Sequence, residues 1–223
     1  MKLAAPRVAA DVATATLIRS ALADVVEGRN ALDIPGARAA MIAAIRNLGR
    51  PGIASMAIAA VDNALWDLKA KLLGMSLLDL LGAVRDSIPV YGSGGFTSYS
   101  DAQLAEQLGG WVRAGIGMVK MKVGREPARD VARVRVAREA IGAARLFVDA
   151  NGAYGRAQAL AMAGAFAELG VCWFEQPRPA RDLDGMRLLR DRAPPGMDIT
   201  AGEYGYEQAD FRRLVEAGAV HVL

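Results

Sequence analysis

The second part of the chain carries a regular series of short apolar runs, and this series constrains the fold more than any other feature. The first five runs begin at intervals of 30, 28, 25 and 27 residues. The five runs, and a sixth that follows them, are Ile88–Gly92, Met118–Val123, Leu146–Asp149, Val171–Glu175, Asp198–Ala201 and Ala219–Leu223. The segments between them repeat apolar residues every three or four positions, as helices do. Strands that alternate with helices at this spacing predict βα units and a parallel sheet.

This α/β pattern favours a closed barrel over an open sheet. Five or more successive βα units without a sign of reversal are typical of a TIM-type (β/α)8 barrel, and an open, doubly wound sheet stays the alternative. A complete barrel needs about 250 residues, whereas 135 residues follow residue 88. We therefore predict a partial barrel over residues 86–223, with about the first five to six strands, and expect the chain to be truncated at both ends.

The part before the barrel has a helical pattern instead. Apolar residues recur at intervals of three or four from Val8 to Val26, and again from Ala57 to Leu72. Between these segments, Asp33 is expected to cap a helix that has Pro35 in its first turn. The sequence therefore predicts a separate N-terminal group of helices over residues 1–85.

Composition indicates a globular chain without a membrane segment. The 223 residues are 53% hydrophobic and 23% charged, which is ordinary for a folded domain. The longest uncharged apolar stretch, Pro51–Val61, has 11 residues, too few to span a bilayer. The N-terminus lacks a signal-peptide pattern, and the single cysteine, Cys172, excludes an internal disulfide. We therefore expect a cytoplasmic location and no membrane partner.

Two local patterns are weak evidence for other ligands. The formal net charge is +3, and the arginines between Arg125 and Arg138 are interpreted as a solvated helix face rather than a nucleic-acid surface. The glycine-rich segment Tyr91–Gly95 lacks the third glycine of a dinucleotide-binding loop. We expect neither a nucleic-acid partner nor a dinucleotide.

Charged side chains stand at the ends of the predicted strands. Lys120 and Lys122 are two residues apart and therefore share one face of their strand. From Lys122 it is 27 residues to Asp149, a further 26 to Glu175 and a further 28 to Glu203. Each carboxylate thus takes the same place in its βα unit, at the carboxyl end of the strand, where barrel enzymes build their active sites.

Three carboxylates on neighbouring strands, about 4.8 Å apart, repel one another unless a cation lies between them. Hard oxygen ligands suit Mg²⁺ or Mn²⁺, and the absence of a Cys/His cluster argues against zinc. A second ammonium and a divalent cation both disfavour the charged form of a lysine, so one lysine can act as a neutral base. The alternatives are solvated lysines, carboxylates that cap helices, and an Asn-Gly turn at Asn151.

Taken together, four motifs resemble those of the enolase superfamily, and most closely those of mandelate racemase and muconate lactonizing enzymes. They are Lys120-Met121-Lys122, Asp149-Ala150-Asn151, Glu175-Gln176-Pro177 and Ala201-Gly202-Glu203. The resemblance covers residues 50–223 well and the first fifty residues loosely. It implies that residues 1–85 are the helical remnant of an α+β capping domain and that residues 86–223 are an incomplete barrel.

The resemblance also implies a chemistry. Residues matching Asp149, Glu175 and Glu203 would hold Mg²⁺, which binds the carboxylate of a small hydroxy acid or sugar acid. A base matching Lys122 would remove the proton α to that carboxylate, and the metal would stabilise the enediolate. Lys120 would add positive charge beside the substrate, and Asn151 would donate a hydrogen bond to it. Racemisation, dehydration and cycloisomerisation all stay open, and intact members of the family are expected to form homo-oligomers.

Two other functions stay open at this point. A Schiff-base lyase on the same barrel would use a lysine as its nucleophile, although the three carboxylates argue against it. A catalytically inactive remnant of a family member is the other, because the second acid/base of the family lies on later strands than this chain contains.

Overall fold

The computed structural model of the protein describes residues 10–223. The chain divides into two compact units, of which the first ends at Ser87 and the second is Ile88–Leu223. The predicted start of the first helix, at Val8, lies outside the described residues.

Helices make up the regular structure of the first unit, and residues 10–87 contain no strand. The helices are α1 (Ala10–Leu17), α2 (Ala23–Val26), α3 (Ile34–Ala44), α4 (Ile53–Leu72) and α5 (Leu77–Leu81), with one π-helical turn at Ile18–Leu22 between α1 and α2. As predicted, the Asp33 side chain caps α3 by accepting a hydrogen bond from the Gly36 N–H (3.0 Å). A small core of Leu22, Met41, Ile45 and neighbouring apolar side chains holds these helices together.

The second unit alternates strands and helices throughout. Its strands are β1 (Gly92–Gly94), β2 (Met118–Lys122), β3 (Arg145–Asp149), β4 (Val171–Glu175) and β5 (Asp198–Thr200). Its helices are α6 (Asp101–Arg113), α7 (Pro127–Ile141), α8 (Arg156–Glu168), α9 (Leu183–Arg192) and α10 (Gln208–Glu216).

The five strands form one parallel sheet in the order β1-β2-β3-β4-β5. Each strand therefore lies beside its predecessor in the chain, which is the order of a (β/α) barrel and differs from the reversal of a doubly wound sheet. The partial-barrel prediction is confirmed, and the structure has the α/β class expected of it.

Two of the predicted strands were wrong. The first lies at Gly92–Gly94 rather than at Ile88–Gly92, and Ile88 and Val90 are exposed. At Gly92 a Cβ atom would overlap the ring of Trp111 on α6, so this strand needs glycine rather than an apolar run. The sixth predicted strand, Ala219–Leu223, forms only a single bridge to β5, between Thr200 and Val222.

The sheet has two chemically different faces because successive side chains of a strand point to opposite sides. Val119, Met121, Leu146, Val148 and Phe174 project toward the helices and form the main core with them. The residues between them on β2, β3 and β4 occupy the other face, and these are Lys120, Lys122, Phe147, Asp149, Trp173 and Glu175. The polar groups of the sheet are thus gathered on one face, at its carboxyl end.

The arginine run of α7 is only partly solvated, which corrects the prediction for two of its members. Arg133 is 6% exposed and donates to the backbone carbonyls of Tyr99 (3.0 Å) and Phe96 (3.1 Å). Arg138 donates to four carbonyl oxygens around the turn after α7 and the end of α8. These guanidinium groups stabilise loops and are not available to a polyanion.

Candidate metal centre

Three carboxylates meet at the carboxyl ends of adjacent strands. Asp149 ends β3, Glu175 ends β4, and Glu203 follows β5 by three residues. The sheet register places Asp149 directly beside Glu175. Each of the three offers one oxygen, and these oxygens all lie within 4.8 Å of one another. The spacing along the sequence predicted this meeting point because parallel strands end at the same edge of a sheet.

The donor set fits a hard divalent cation. All three groups are carboxylates, the ligand type that Mg²⁺ and Mn²⁺ prefer, and no thiol or imidazole is among them. Asp149 is fully buried, Glu175 is partly buried, with 13% of its side chain exposed, and Glu203 is exposed. A cation placed between them would therefore be bound on its buried side by the carboxylates of β3 and β4, and its exposed side would stay open for water or a substrate.

Both predicted lysines lie against these carboxylates. The Lys120 Nζ atom is 2.6 Å from Glu175 Oε2 and 3.6 Å from Asp149 Oδ2. The Lys122 ammonium donates to the Asp149 carboxylate. The Lys120 side chain is 7% exposed, whereas that of Lys122 is 22% exposed. Of the two, Lys122 is the more open to a ligand.

Burial and neighbouring charges both shift the pKa values of these side chains. Burial disfavours the charged form of Lys120, but the hydrogen bond to Glu175 and the charges of Glu175 and Asp149 outweigh it and raise the pKa of Lys120. Burial, together with the charge of Asp149, raises the pKa of Glu175 against the opposing hydrogen bond from Lys120. Lys120 is thus a cation at neutral pH, which suits electrostatic stabilisation better than proton abstraction.

Asn151 and Gln176 follow the ligand-bearing strand ends in an unusual backbone conformation. Their φ angles are +46° and +43°, and they are the only non-glycine residues with positive φ among residues 10–223. This left-handed conformation costs on the order of 1 kcal/mol or more for a residue with a side chain. It is stabilised by the Gly152 N–H, which donates to the Gln176 carbonyl (2.7 Å), and by the Asn151 N–H, which donates to Asp149 Oδ1 (2.9 Å).

Asn151 links two parts of the site. Its amide Nδ2 donates to the Glu203 carboxylate and lies 3.4 Å from the hydroxyl oxygen of Tyr204. The structure therefore places all six residues singled out in the sequence in one cluster: Lys120, Lys122, Asp149, Asn151, Glu175 and Glu203.

Sequence reasoning missed four residues that border this cluster. Two of them are aromatic residues beside charged groups: Trp173 Nε1 lies 3.4 Å from Glu175 Oε2, and the Tyr91 ring lies 5.3 Å from Lys120 Nζ. The other two are Gln176, which is buried where the chain turns after β4, and Tyr204, which contacts Asn151. Strand periodicity could have found Trp173, because it lies two residues before Glu175 and hence on the same face. Tyr91, Gln176 and Tyr204 lie in loops, where no periodic signal gives the direction of a side chain.

His221 takes no part in the cluster. Its Nδ1 atom accepts a hydrogen bond from the Ile199 N–H of β5 (3.0 Å), and the backbone N–H of His221 donates to the Ile199 carbonyl (2.8 Å). With both hydrogen bonds directed to the backbone of Ile199, His221 has a structural position at the edge of the sheet.

Comparison with known families assigns the chain to one of them. Residues 103–223 match the family described as enolase C-terminal domain-like, and residues 5–82 match the N-terminal domain of mandelate racemase / muconate lactonizing enzymes. The chain belongs to the mandelate racemase/muconate lactonizing enzyme family. The resemblance drawn from four short motifs is thereby confirmed over most of the sequence.

Among curated relatives of this family member, L-talarate/galactarate dehydratase of Salmonella typhimurium is 38% identical over 171 residues, which cover 75% of this chain and 43% of the relative. D-galactarolactone cycloisomerase of Agrobacterium fabrum is 33% identical over 192 residues, which cover 81% of this chain and 48% of the relative. The chain thus spans about half the length of the curated relatives it matches.

Solved structures show the same fold. A mandelate racemase/muconate lactonizing enzyme-like protein from Rubrobacter xylanophilus has a TM-score of 0.88 at 56% identity, with 94% of this chain and 58% of that one covered. L-Talarate dehydratase from Polaromonas sp. JS666, complexed with Mg and L-glucarate, has a TM-score of 0.80 at 34% identity, with 97% of this chain and 61% of that one covered.

Within residues 10–223, none of the helices has the length and apolar character needed to cross a membrane.

Proposed function

We propose that this protein takes part in Mg²⁺-dependent removal of the proton α to the carboxylate of a sugar acid, and that dehydration is the outcome. One observation carries the proposal. The carboxylates of Asp149, Glu175 and Glu203 lie within 4.8 Å of one another, and two lysines face them from the neighbouring strand.

Asp149, Glu175 and Glu203 would hold the metal. When bound, Mg²⁺ supplies a Lewis acid that stabilises negative charge on the oxygens of the substrate carboxylate. The three carboxylates keep the site rigid because two of them end paired strands of one sheet. Magnesium in the related Polaromonas dehydratase structure supports this choice of ion.

The two lysines would have different roles in the reaction. Lys122 would act as the base, since its Nζ is at the strand end and is the more exposed of the two. Lys120, held by Glu175 and nearly buried, would stay positively charged beside the substrate carboxylate. Asn151 would donate a hydrogen bond from an amide already oriented by Glu203.

Sugar acids are the proposed substrate class. The similarity to L-talarate/galactarate dehydratase and to a dehydratase complexed with L-glucarate supports both the substrate class and dehydration. The match to a galactarolactone cycloisomerase supports the same first step, with a different fate for the product. A homo-oligomer and a cytoplasmic location belong to the proposal as sequence-based expectations, and light scattering tests the first.

Exchange of the α-proton in D₂O tests the first step without requiring turnover to a final product. We expect the protein with Mg²⁺ to wash out the α-proton signal of galactarate or L-glucarate in NMR spectra, and a chelator to stop the exchange. Lys122→Met should abolish exchange, whereas Lys71→Met, at an exposed lysine of α4 paired with Asp67, should leave it intact. Absence of exchange in the wild-type protein, or exchange that persists in chelator, would contradict the proposal.

A further inference from the structure

The turn after β5 presents a second side chain beside Glu203. The Gly205 N–H donates to the Gly202 carbonyl (2.8 Å), so Glu203 and Tyr204 form the tip of a closed turn. At Gly205 a Cβ atom would overlap the ring of Phe211 on α10, so the turn rests directly on that helix. The carboxylate of Asp210 accepts hydrogen bonds from the next two backbone N–H groups, those of Tyr206 (2.9 Å) and Glu207 (3.2 Å). The position of Tyr204 is therefore fixed by a helix and not by the site itself.

The hydroxyl of Tyr204 touches the metal centre without belonging to it. Its oxygen lies 3.4 Å from Asn151 Nδ2, and the phenol is beside the Glu203 carboxylate. A phenol is not among the hard carboxylate and carbonyl ligands that Mg²⁺ prefers. Tyr204 nevertheless remains 41% exposed, so the ring borders the open side of the carboxylate cluster.

A sugar acid held by its carboxylate at this cluster must extend its hydroxyl-bearing carbons over the rim. In the proposed function, Lys120, Lys122 and Asn151 act at the carboxylate end of the substrate, so its further hydroxyl groups need another partner. Among the described side chains around the cluster, Tyr91 and Tyr204 each combine a hydroxyl with 41% exposure; the Tyr91 ring lies against Lys120, whereas it is the hydroxyl of Tyr204 that lies 3.4 Å from Asn151 Nδ2. A hydroxyl both donates and accepts hydrogen bonds, which suits a ligand that carries a row of hydroxyl groups.

We propose that Tyr204 is a specificity-determining residue that hydrogen-bonds a hydroxyl of the substrate beyond its α-carbon, and so favours polyhydroxylated acids over simple 2-hydroxy acids. This inference rests on the proposed function. It assigns to the β5 loop a contact with the part of the substrate that does not react.

Calorimetric titration of the Mg²⁺-saturated protein tests the contact. The ligands are galactarate and lactate, which lacks hydroxyls beyond its α-carbon, and the proteins are the wild type, Tyr204→Phe and Tyr206→Phe. We expect Tyr204→Phe to weaken galactarate binding about three- to tenfold, the effect of one lost hydrogen bond, and to leave lactate binding unchanged. Tyr206→Phe, two residues along the same loop, should behave as the wild type.

Titration of each variant with Mg²⁺ alone separates a contact with substrate from an effect on the metal centre. We expect the affinity for Mg²⁺ to be the same in all three proteins, which also shows that the variants fold. A loss of Mg²⁺ affinity in Tyr204→Phe, or binding of galactarate by Tyr204→Phe as tight as by the wild type, would overturn this inference and leave the proposed function standing. Failure of the Mg²⁺-saturated wild-type protein to bind galactarate would overturn the proposed function, and the inference with it.

Discussion

At the scale of single residues, the two lysines donate hydrogen bonds to carboxylate oxygens that a metal would also bind. Lys122 donates to Asp149, and Lys120 donates to Glu175. Entry of Mg²⁺ must compete with these ammonium groups. Replacing Lys122 with Met, which has a similar length and no charge, should therefore tighten Mg²⁺ binding several-fold while α-proton exchange is lost. Among the described residues, only Lys120, at 3.6 Å, then remains as a cation beside the buried Asp149, and a bound metal replaces the ammonium that was removed. Titration calorimetry checks the affinity, and weaker Mg²⁺ binding by Lys122→Met would contradict this account.

How far single residues could be predicted depended on whether they lie on strands. Asp149 and Glu175 end strands, and their spacing alone placed them together, because the period of a βα unit fixes where each strand ends. Glu203 was found the same way, although two irregular residues separate it from β5. Tyr204 could not be found, since its direction depends on the packing of Gly205 against Phe211, a contact that no local pattern encodes.

At the scale of elements, Asp182 ties two neighbouring βα loops together. It caps α9 by accepting from the Gly185 N–H (3.1 Å), and it receives hydrogen bonds from Arg156 at the start of α8 and from Arg178 after β4. The hydrogen bond from Arg156, reinforced by Arg178 and the Gly185 N–H against partial burial, holds the pKa of Asp182 well below its usual range.

The depressed pKa gives a stability prediction with a definite sign. The negative charge of Asp182 stabilises the folded state above the unfolded pKa of about 3.9, and this contribution is lost as the pH falls below it. Asp182→Asn keeps an N-cap side chain but loses the charge that pairs with Arg156 and Arg178, so it should lower the free energy of unfolding by about 1 kcal/mol at pH 7 and by less at pH 3. Urea denaturation at both pH values measures this, and an equal difference at the two pH values would count against the charge as the cause.

Elements were predicted best where burial is periodic. β2 to β4 lie within a residue of their predicted bounds because apolar side chains on the helix-facing side alternate with polar or aromatic ones. β1 was displaced because its burial comes from backbone pressed on Trp111, which glycine allows and which carries no hydrophobic signal. The apolar residues Ile88 and Val90, which suggested a strand, are exposed instead.

At the scale of the whole molecule, the segment around the boundary between the two units is, within residues 10–223, the part most open to a protease. Residues 82–91 are all exposed, and none of them is in a helix or strand. Arg85 lies within this segment. Within the described residues, limited digestion with trypsin should therefore cut first after Arg85, which separates residues 1–85 from residues 86–223, the domains expected from the sequence. Mass spectrometry of the early products checks this, and first cleavage within α7, which carries several arginines, would contradict it.

The central claim is that three carboxylates at the ends of neighbouring strands form one Mg²⁺ site, and metal-linked thermal unfolding tests it most directly. A ligand that binds only the folded state raises its stability by about 2.7 kcal/mol at 100 times its Kd, which for a chain of this size is a rise in Tm of roughly 5–10 °C. We predict such a rise for the wild-type protein when Mg²⁺ replaces a chelator, and little or none for Glu203→Gln. A wild-type Tm that is indifferent to Mg²⁺, or an equal rise in Glu203→Gln, would contradict the site as described.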